Sequence, residues 1–526
     1  MIKDKIVCVS LVDNLYLQID TNNLDCLNLI KSSFDFFAEN YRFMPRYKAG
    51  VWDGKISLFN ASKRQLPYGL LFDLIKVCKL NGYEIKVTDE VKELFGNKKE
   101  LIKDYNLKFP PRDYQKDIIE TTLKYKKGIF VSATASGKSL IISYIFKILY
   151  ENNEVNKGII IVPTTNLITQ FYEDLIDYGI DESILGKFYA DEKVWDRPLV
   201  ISTWQSLIYD YAKIRKNKIV SLRKNIASSK FTKDEKDKCK QQLTKILQPE
   251  YVEKMKGIIE KRDKFLLEMD FFCIDECQIA QSESVTNLTQ NIQNAKYRIA
   301  CTGTLPDDDL RFNSIKSYIG NVIKEYSSSY LTKEGYLNPC QVNISRLYYK
   351  NEFTGQYNNV KDDIFASEFR LNHIKLLIQQ VKEENVLILV GKIKKEGQVL
   401  EEYLNNHFPE KEIVFISGKM SVKDREMWRQ KSINNTNIII IAIYNIFQAG
   451  INIPNLAHII LGSSYKDKIR ILQSIGRSLR LSCNKGTSQI YDIVDCCNKF
   501  LPKHATERKK FYKREGFIIK EVKLKE

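Results

Sequence analysis

Three short runs contain residues whose types and spacing could do chemistry together. SATASGKS, Ser132 to Ser139, lies between the apolar run GIFVSAT and the helical pattern LIISYIFKILY. A Gly-Lys-Ser ending there suits a phosphate-binding loop, because backbone amides and a helix N-terminus then face an anion. Gly137 lets the backbone approach phosphates, Lys138 can reach the β and γ phosphates, and the Ser139 hydroxyl can hold Mg²⁺. Thr134, Ala135 and Ser136 line the same turn, and Ser132 stands where the strict pattern has its first glycine. CIDECQ puts Asp275 and Glu276 at the end of an apolar strand, one carboxylate to hold Mg²⁺ through water and one to polarise an attacking water. In QSIGRSLR, Arg477 and Arg480 are three apart and share a helical face, from which both could reach a γ phosphate; Gly476 permits close packing. Each run has a plainer reading: a strand-to-helix turn, a paired acidic turn, a solvated basic face. Together they point to hydrolysis of ATP with Mg²⁺.

Such groups must be presented by strand ends, and the sequence supplies two series of strands. GIFVSAT, GIIIVP, PLVISTW, FFCIDE and YRIACTGT form the first, and NVLILVG, EIVFISG, NIIIIAI, HIILGSS and QIYDIVD the second. Each run is apolar on both faces and followed by helical pattern, as in parallel sheets covered by helices. The expected fold class is α/β, with two tandem parallel-sheet domains joined near Gly335 to Pro339. The first hundred residues differ in texture and read as a small α+β domain. The expected boundaries are 1–105 for that domain, 106–336 for the first sheet domain with a basic helical insertion at about 209–266, 337–500 for the second, and 501–526 for a basic helical extension beyond the last strand.

Composition narrows the class. The 526 residues carry 82 Lys+Arg against 65 Asp+Glu, a formal charge of +17, which points to a polyanionic partner. A hydrophobic content of 44% excludes a mainly disordered chain. The cysteines show no CxxC pair and the four histidines are far apart, so no zinc site is readable. No apolar run approaches the roughly 18 residues that span a bilayer. Asp13 interrupts the N-terminal apolar stretch where a signal peptide would continue. A cytoplasmic protein with no membrane partner is expected.

With the three elements in this order, the chain resembles superfamily 2 helicases over some 400 residues. Two RecA-like domains, ATP and Mg²⁺ are what that resemblance implies. PRDYQ resembles the Q motif, in which Gln115 would read the adenine edge beside Arg112. PTTNLITQ, STWQSL, TGTL and QAGINIP resemble segments that grip the nucleic-acid backbone or couple it to ATP. By the same resemblance Gly450 falls in the nucleotide site, Gln473 joins Arg477 and Arg480 in turnover, and Gln278, Thr302 and Thr304 couple the two. Thr164, Thr203 and Lys392 are candidate backbone contacts, though each is also an ordinary strand-end residue.

More narrowly, YRFMPRYKAGVWDGKISLF, LPYGL, VPTTNLITQ and STWQ make the chain similar to the UvsW-type recombination helicases of tailed phages. That family implies an ATP-driven, 3′ to 5′ motor remodelling branched DNA: D-loops, R-loops and forks. Single-stranded and branched DNA, with RNA–DNA hybrids, are then the implied partners, protein partners stay open, and a phage-encoded protein would act in the host cytoplasm. Gln278 replaces the family's usual histidine, Ala135 a frequent glycine and Asn452 an aspartate or serine. The excursion after Trp204 is longer than the family implies.

The stretch from Tyr41 to Phe59 interleaves Arg42, Arg46, Lys48 and Lys55 with Tyr41, Phe43, Tyr47 and Trp52. Arg46, Trp52 and Lys55 are the candidate DNA contacts, the ring as a wedge or stacking platform. A hairpin turning at WDG, with the aromatics as its small core, is the alternative. Two rivals to a DNA helicase stay open: an RNA helicase or duplex translocase without strand separation, and a non-catalytic nucleic-acid-binding or sensor protein on a decayed motor. The second would have lost Lys138, Asp275, Glu276 or Arg477, and all four are present.

Overall fold

The structure, a computed structural model, describes residues 5–96, 100–189, 192–207, 211–228, 232–279, 288–306, 308–350, 353, 362–381, 384–418, 420–444, 456–463, 486–497 and 501–526. The chain falls into two compact units, residues 1–130 with 139–324, and residues 131–138 with 325–526.

The N-terminal segment contributes β1 (Ile6–Leu11), β2 (Tyr16–Asp20), β3 (Asp35–Phe37), β4 (Lys55–Ser57), β5 (Gln65–Pro67) and β6 (Glu84–Val87). Four of these form a sheet in the order β5-β2-β1-β6, while β3 and β4 pair antiparallel by themselves. Period-2 alternation sends Val7, Val9, Leu17 and Ile19 inward against the helices Leu24–Ser33 and Leu71–Leu80. This core is not closed by the N-terminal residues alone. Tyr318, from the helix Asp309–Ile319, is part of it. The Tyr68 hydroxyl donates to the Tyr318 carbonyl at 2.6 Å, and Gly69 lies so close to the Lys316 carbonyl that no Cβ fits between them. The segment expected as a separate small domain therefore has its own sheet but belongs to the first unit, whose Tyr318 completes its core.

The next eight strands are β7 (Lys127–Ser132), β8 (Gly158–Val162), β9 (Leu185–Tyr189), β10 (Glu192–Lys193), β11 (Leu199–Thr203), β12 (Phe271–Ile274), β13 (Tyr297–Thr302) and β14 (Val322–Tyr326). They form one sheet in the order β10-β9-β11-β8-β12-β13-β7-β14. β8, β11 and β12 are buried along their whole length and pair parallel, as continuous apolar runs require. The lysine-rich excursion between β11 and β12 forms three helices, Tyr211–Ala227, Lys233–Leu247 and Pro249–Leu267. The second begins in a capping box, with Thr232 N donating to Glu235 Oε2 at 2.8 Å, and the third starts on Pro249.

The remaining strands are β15 (Cys340–Tyr348), β16 (Val386–Val390), β17 (Glu412–Ile416), β18 (Ile438–Ile443), β19 (His458–Leu461), β20 (Ser488–Asp495) and β21 (Ile518–Lys525), in the sheet order β17-β18-β16-β19-β20-β15-β21. The pairings are parallel throughout. All ten runs read as strands are strands here. One expectation needs correction. The tail is not a helix alone: after the helix Leu501–Arg514, Gly516 takes a positive φ of 75° and the chain returns as β21 against β15. IIKEVKLK alternates apolar residues with lysine and is mostly exposed, the composition of an edge strand protected from further pairing. The helix itself is anchored by buried Arg508, bonded to Asp492 at 2.8 and 2.9 Å, with the Tyr512 hydroxyl donating to the same carboxylate.

Candidate functional site

The phosphate-loop sequence lies between the end of β7 at Ser132 and the helix Lys138–Glu151. Ala135 and Gly137 adopt left-handed φ values of 70° and 76°, and Ser136 N donates to Ala133 O at 3.1 Å. For alanine such a φ is strained, and a residue is held there only where its surroundings over-determine it. Ser132, in the place of the pattern's first glycine, is fully buried with its hydroxyl unpartnered among the described residues. Lys138 is buried at the first turn of the helix. Ser139 Oγ lies 2.8 Å from the hydroxyl of Tyr178, the last residue of the helix Thr165–Tyr178. Tyr178 also meets Phe109 edge to face. Nothing in the sequence links Ser139 to a tyrosine 39 residues on; the fold alone makes this contact.

The acidic motif follows β12. Asp275 N donates to Ile161 O at 2.8 Å, extending the β8 pairing by one residue, and Cys301 Sγ lies 3.0 Å from Asp275 Oδ1 as a donor. No motif marks that thiol either; the fold brings it to Asp275 from 26 residues away. Glu276 has φ 52°, a second strained non-glycine residue in a candidate catalytic motif. Gln278 is buried, and its Nε2 donates to Glu276 Oε2 at 2.8 Å. Its Oε1 accepts from the Thr302 hydroxyl, which in turn accepts from Thr304 N at 3.0 Å. Four expected residues, Glu276, Gln278, Thr302 and Thr304, thus form one hydrogen-bonded line. An amide serves here because it both donates and accepts.

Other expected residues are placed as follows. Gln115 is buried, and its Oε1 accepts from Arg112 N at 2.9 Å, closing the N-terminus of the helix Asp113–Tyr125. Thr164 precedes the helix Thr165–Tyr178 and has a buried hydroxyl with no partner among the described residues. Thr203 is 2% exposed, its Oγ1 2.9 Å from the Ser206 hydroxyl, so its side chain fixes the start of the next helical turn. Lys392 is ion-paired with Asp362. Gly450, Gln473, Arg477 and Arg480 lie outside the described residues, as does Asn452.

In the N-terminal segment, β3 and β4 are joined by a compact loop containing a short turn at Tyr41–Phe43 and a helical turn at Pro45–Lys48. WDG is therefore not the hairpin turn itself. It forms the return into β4, where Asp53 Oδ1 accepts from Lys55 N at 3.0 Å and Gly54 has φ 84°. A Cβ at Gly54 would meet the Tyr41 ring. Tyr41 stacks on Phe37 and meets Tyr47 edge to face, while Trp52 Nε1 donates to Lys55 O at 2.8 Å. Arg46 is exposed, and Lys55 lies over the Phe37 ring at 5.2 Å.

Two largely parallel sheets, a phosphate-loop sequence after the first strand of one of them and an acidic pair at the end of another of its strands, together with helicase models matching this part of the chain, define a class: the chain is a superfamily 2 helicase. Family models match three segments, "DNA helicase UvsW, N-terminal" over residues 7–88, "Type III restriction enzyme, res subunit" over 108–307 and "Helicase conserved C-terminal domain" over 370–482. Within the class it is most like the UvsW type, whose N-terminal model it matches ahead of models for both motor domains. The chain is 27% identical over 510 residues to the ATP-dependent DNA helicase uvsW of Enterobacteria phage T4, covering 92% of this chain and 89% of that protein. It is 24% identical over 428 residues to the DNA 3′-5′ translocase XPB2 of Sulfurisphaera tokodaii, covering 72% and 80%. Among solved structures, a fragment of a putative HsdR subunit of a type I restriction enzyme from Vibrio vulnificus superposes with a TM-score of 0.54 at 15% identity, covering 90% of this chain and 75% of that one. Among the described residues no helix is long and apolar enough to cross a membrane.

Proposed function

We propose that this protein is an ATP-dependent DNA helicase that remodels branched DNA in recombination, repair or replication. The observation that carries the reading is the line from Glu276 through Gln278 to Thr302 and Thr304, which ties a candidate general base to the loop after β13. A motor must make hydrolysis conditional on its track, and a buried chain of hydrogen bonds gives one a physical route. Lys138 binds the β and γ phosphates, Glu276 takes a proton from the attacking water, and Gln278 holds the Glu276 carboxylate. Ser139 and Asp275 fit Mg²⁺, which binds through few protein oxygens together with substrate phosphates and stabilises the charge developing on them. Arg477 and Arg480 complete turnover by neutralising the γ phosphate. Arg46, Lys55 and Trp52 belong to a DNA surface on the N-terminal loop. Phosphate contacts dominate affinity, because a translocating protein cannot keep fixed bonds to bases.

The test is ATP turnover with single-stranded, duplex, forked and R-loop DNA and with RNA. Forked or R-loop DNA is expected to stimulate and to be unwound, and Lys138→Ala to abolish both. Stimulation by RNA alone would move the reading to an RNA helicase, and stimulation without strand separation to a duplex translocase.

A further inference from the structure

The aromatics and apolar residues of the loop between β3 and β4 divide into two sets. Phe37, Tyr41 and Tyr47 pack on one another, and Gly54 is kept free of a side chain so that the Tyr41 ring can lie across it. Phe43 and Val51 do neither: they are 75% and 78% exposed, beside half-exposed Met44. The backbone that carries them is tied down, with Ala38 N donating to Gly54 O at 2.8 Å and Val51 N to Arg46 O at 3.0 Å. A built frame that holds apolar side chains out into water gains nothing for the fold, and such patches mark binding sites. Val51 itself, with Met44, Pro45, Arg46 and Trp52, lines a groove of about 650 Å³, and Phe43 directly precedes Met44 in the chain.

Charge decides the occupant. Arg42, Arg46, Lys48 and Lys55 share this loop and its return strand with two acids, of which Glu39 is ion-paired with Arg311 and Asp53 accepts from Lys55 N. An apolar groove rimmed by unbalanced cations matches an unstacked base with its flanking phosphates, and a base is accessible for this only in a single strand. We infer that the groove between Met44 and Trp52, with Phe43 and Val51 at its tip, captures an unpaired base of single-stranded DNA. The inference rests on the DNA reading above. It reassigns the tip of the surface from Trp52, whose indole is bonded to Lys55 O, to Phe43 and Val51.

The test uses the full chain with the double variant Phe43→Ala, Val51→Ser, and compares an oligothymidine with the same strand carrying abasic sites. The variant is expected to bind the intact strand on the order of tenfold more weakly, since stacking on an aromatic is a per-base term. Its affinity for the abasic strand, its salt dependence, its melting temperature and its ATPase rate at saturating DNA stay at wild-type values. Equal losses on both strands, or unchanged binding of the intact strand, overturn the inference; in the second case the patch serves a protein partner or none. Wild-type ATPase that no DNA stimulates would instead overturn the DNA reading itself, so the two failures are distinguishable.

Discussion

The acidic motif and the N-terminal loop solve opposite problems. Around Glu276 polar groups are withdrawn from water and each is assigned a partner: Gln278 to Glu276 and Thr302, Thr302 to Thr304, Cys301 to Asp275. In the loop between β3 and β4 apolar groups are pushed into water on a frame of backbone hydrogen bonds. The first arrangement is intolerant, because a buried group that loses its partner keeps its desolvation cost. The second tolerates substitution, because an exposed side chain supports nothing beneath it. Variants of the first region should therefore change turnover, and variants of the second should change affinity.

Glu276→Gln separates the regions most strongly. It preserves the size of the side chain and removes its basicity, so DNA-stimulated ATPase should fall by about 10²- to 10⁴-fold while DNA binding is retained. Wild-type turnover by this variant would remove Glu276 from the role of base. Arg477→Ala should lower stimulated hydrolysis by on the order of 10³-fold with little change in DNA affinity. A variant that lost affinity and kept its maximal rate would move Arg477 to the nucleic-acid side.

Gln278→Ala sharpens the comparison at an intermediate scale. It leaves the Glu276 carboxylate and the Thr302 hydroxyl without their shared partner, and the expected loss is about tenfold in DNA-stimulated rate, roughly one hydrogen bond to a charged group. Basal hydrolysis without DNA should change less than stimulated hydrolysis. Equal losses in both would make Gln278 a holder of Glu276 with no part in coupling.

The sequence carried the two regions unequally. Strands buried on both faces, such as GIIIV and FFCI, announce themselves as continuous apolar runs, and this places the motif sequences at their ends. β15 and β21 do not stand out in the same way because they alternate: CQVNISRLY and IIKEVKLK interleave polar residues, and a lysine-rich run after a basic helix reads as more helix. At the candidate site the motif residues can be picked out by spacing, whereas Tyr178 and Cys301 reach Ser139 and Asp275 only because the fold brings them together from 39 and 26 residues away. For the loop, composition showed charge and aromatics but could not say which rings face inward. Tyr41 is spent on the frame, Trp52 is tied to it through its indole while lining the groove, and Phe43 is left exposed. A melting experiment checks that division. Trp52→Ala should lower the melting temperature by a few degrees because it removes a hydrogen-bonded, partly buried ring. Phe43→Ala should leave it unchanged.

The smallest expected effect falls on Tyr178, where the two regimes meet: a polar contact inside the site made by an aromatic that also packs. Its ring meets Phe109 edge to face at 6.0 Å, and its hydroxyl lies 2.8 Å from Ser139 Oγ. Tyr178→Phe keeps the ring contact and deletes only the hydroxyl, so stability should hardly move. A serine hydroxyl that holds Mg²⁺ turns a lone pair to the cation and its proton to an acceptor, and the Tyr178 oxygen is placed to be that acceptor. Losing it removes one neutral hydrogen bond, worth about 0.5–1.5 kcal/mol, so the Mg²⁺ concentration for half-maximal ATPase should rise about two- to tenfold at unchanged maximal rate. A shift in the opposite direction would mean that Tyr178 holds Ser139 away from the cation and must release it at each turnover. No shift in either direction would leave the contact as packing between two helices, and Tyr178 would then, like Tyr41, be a ring that serves only the fold.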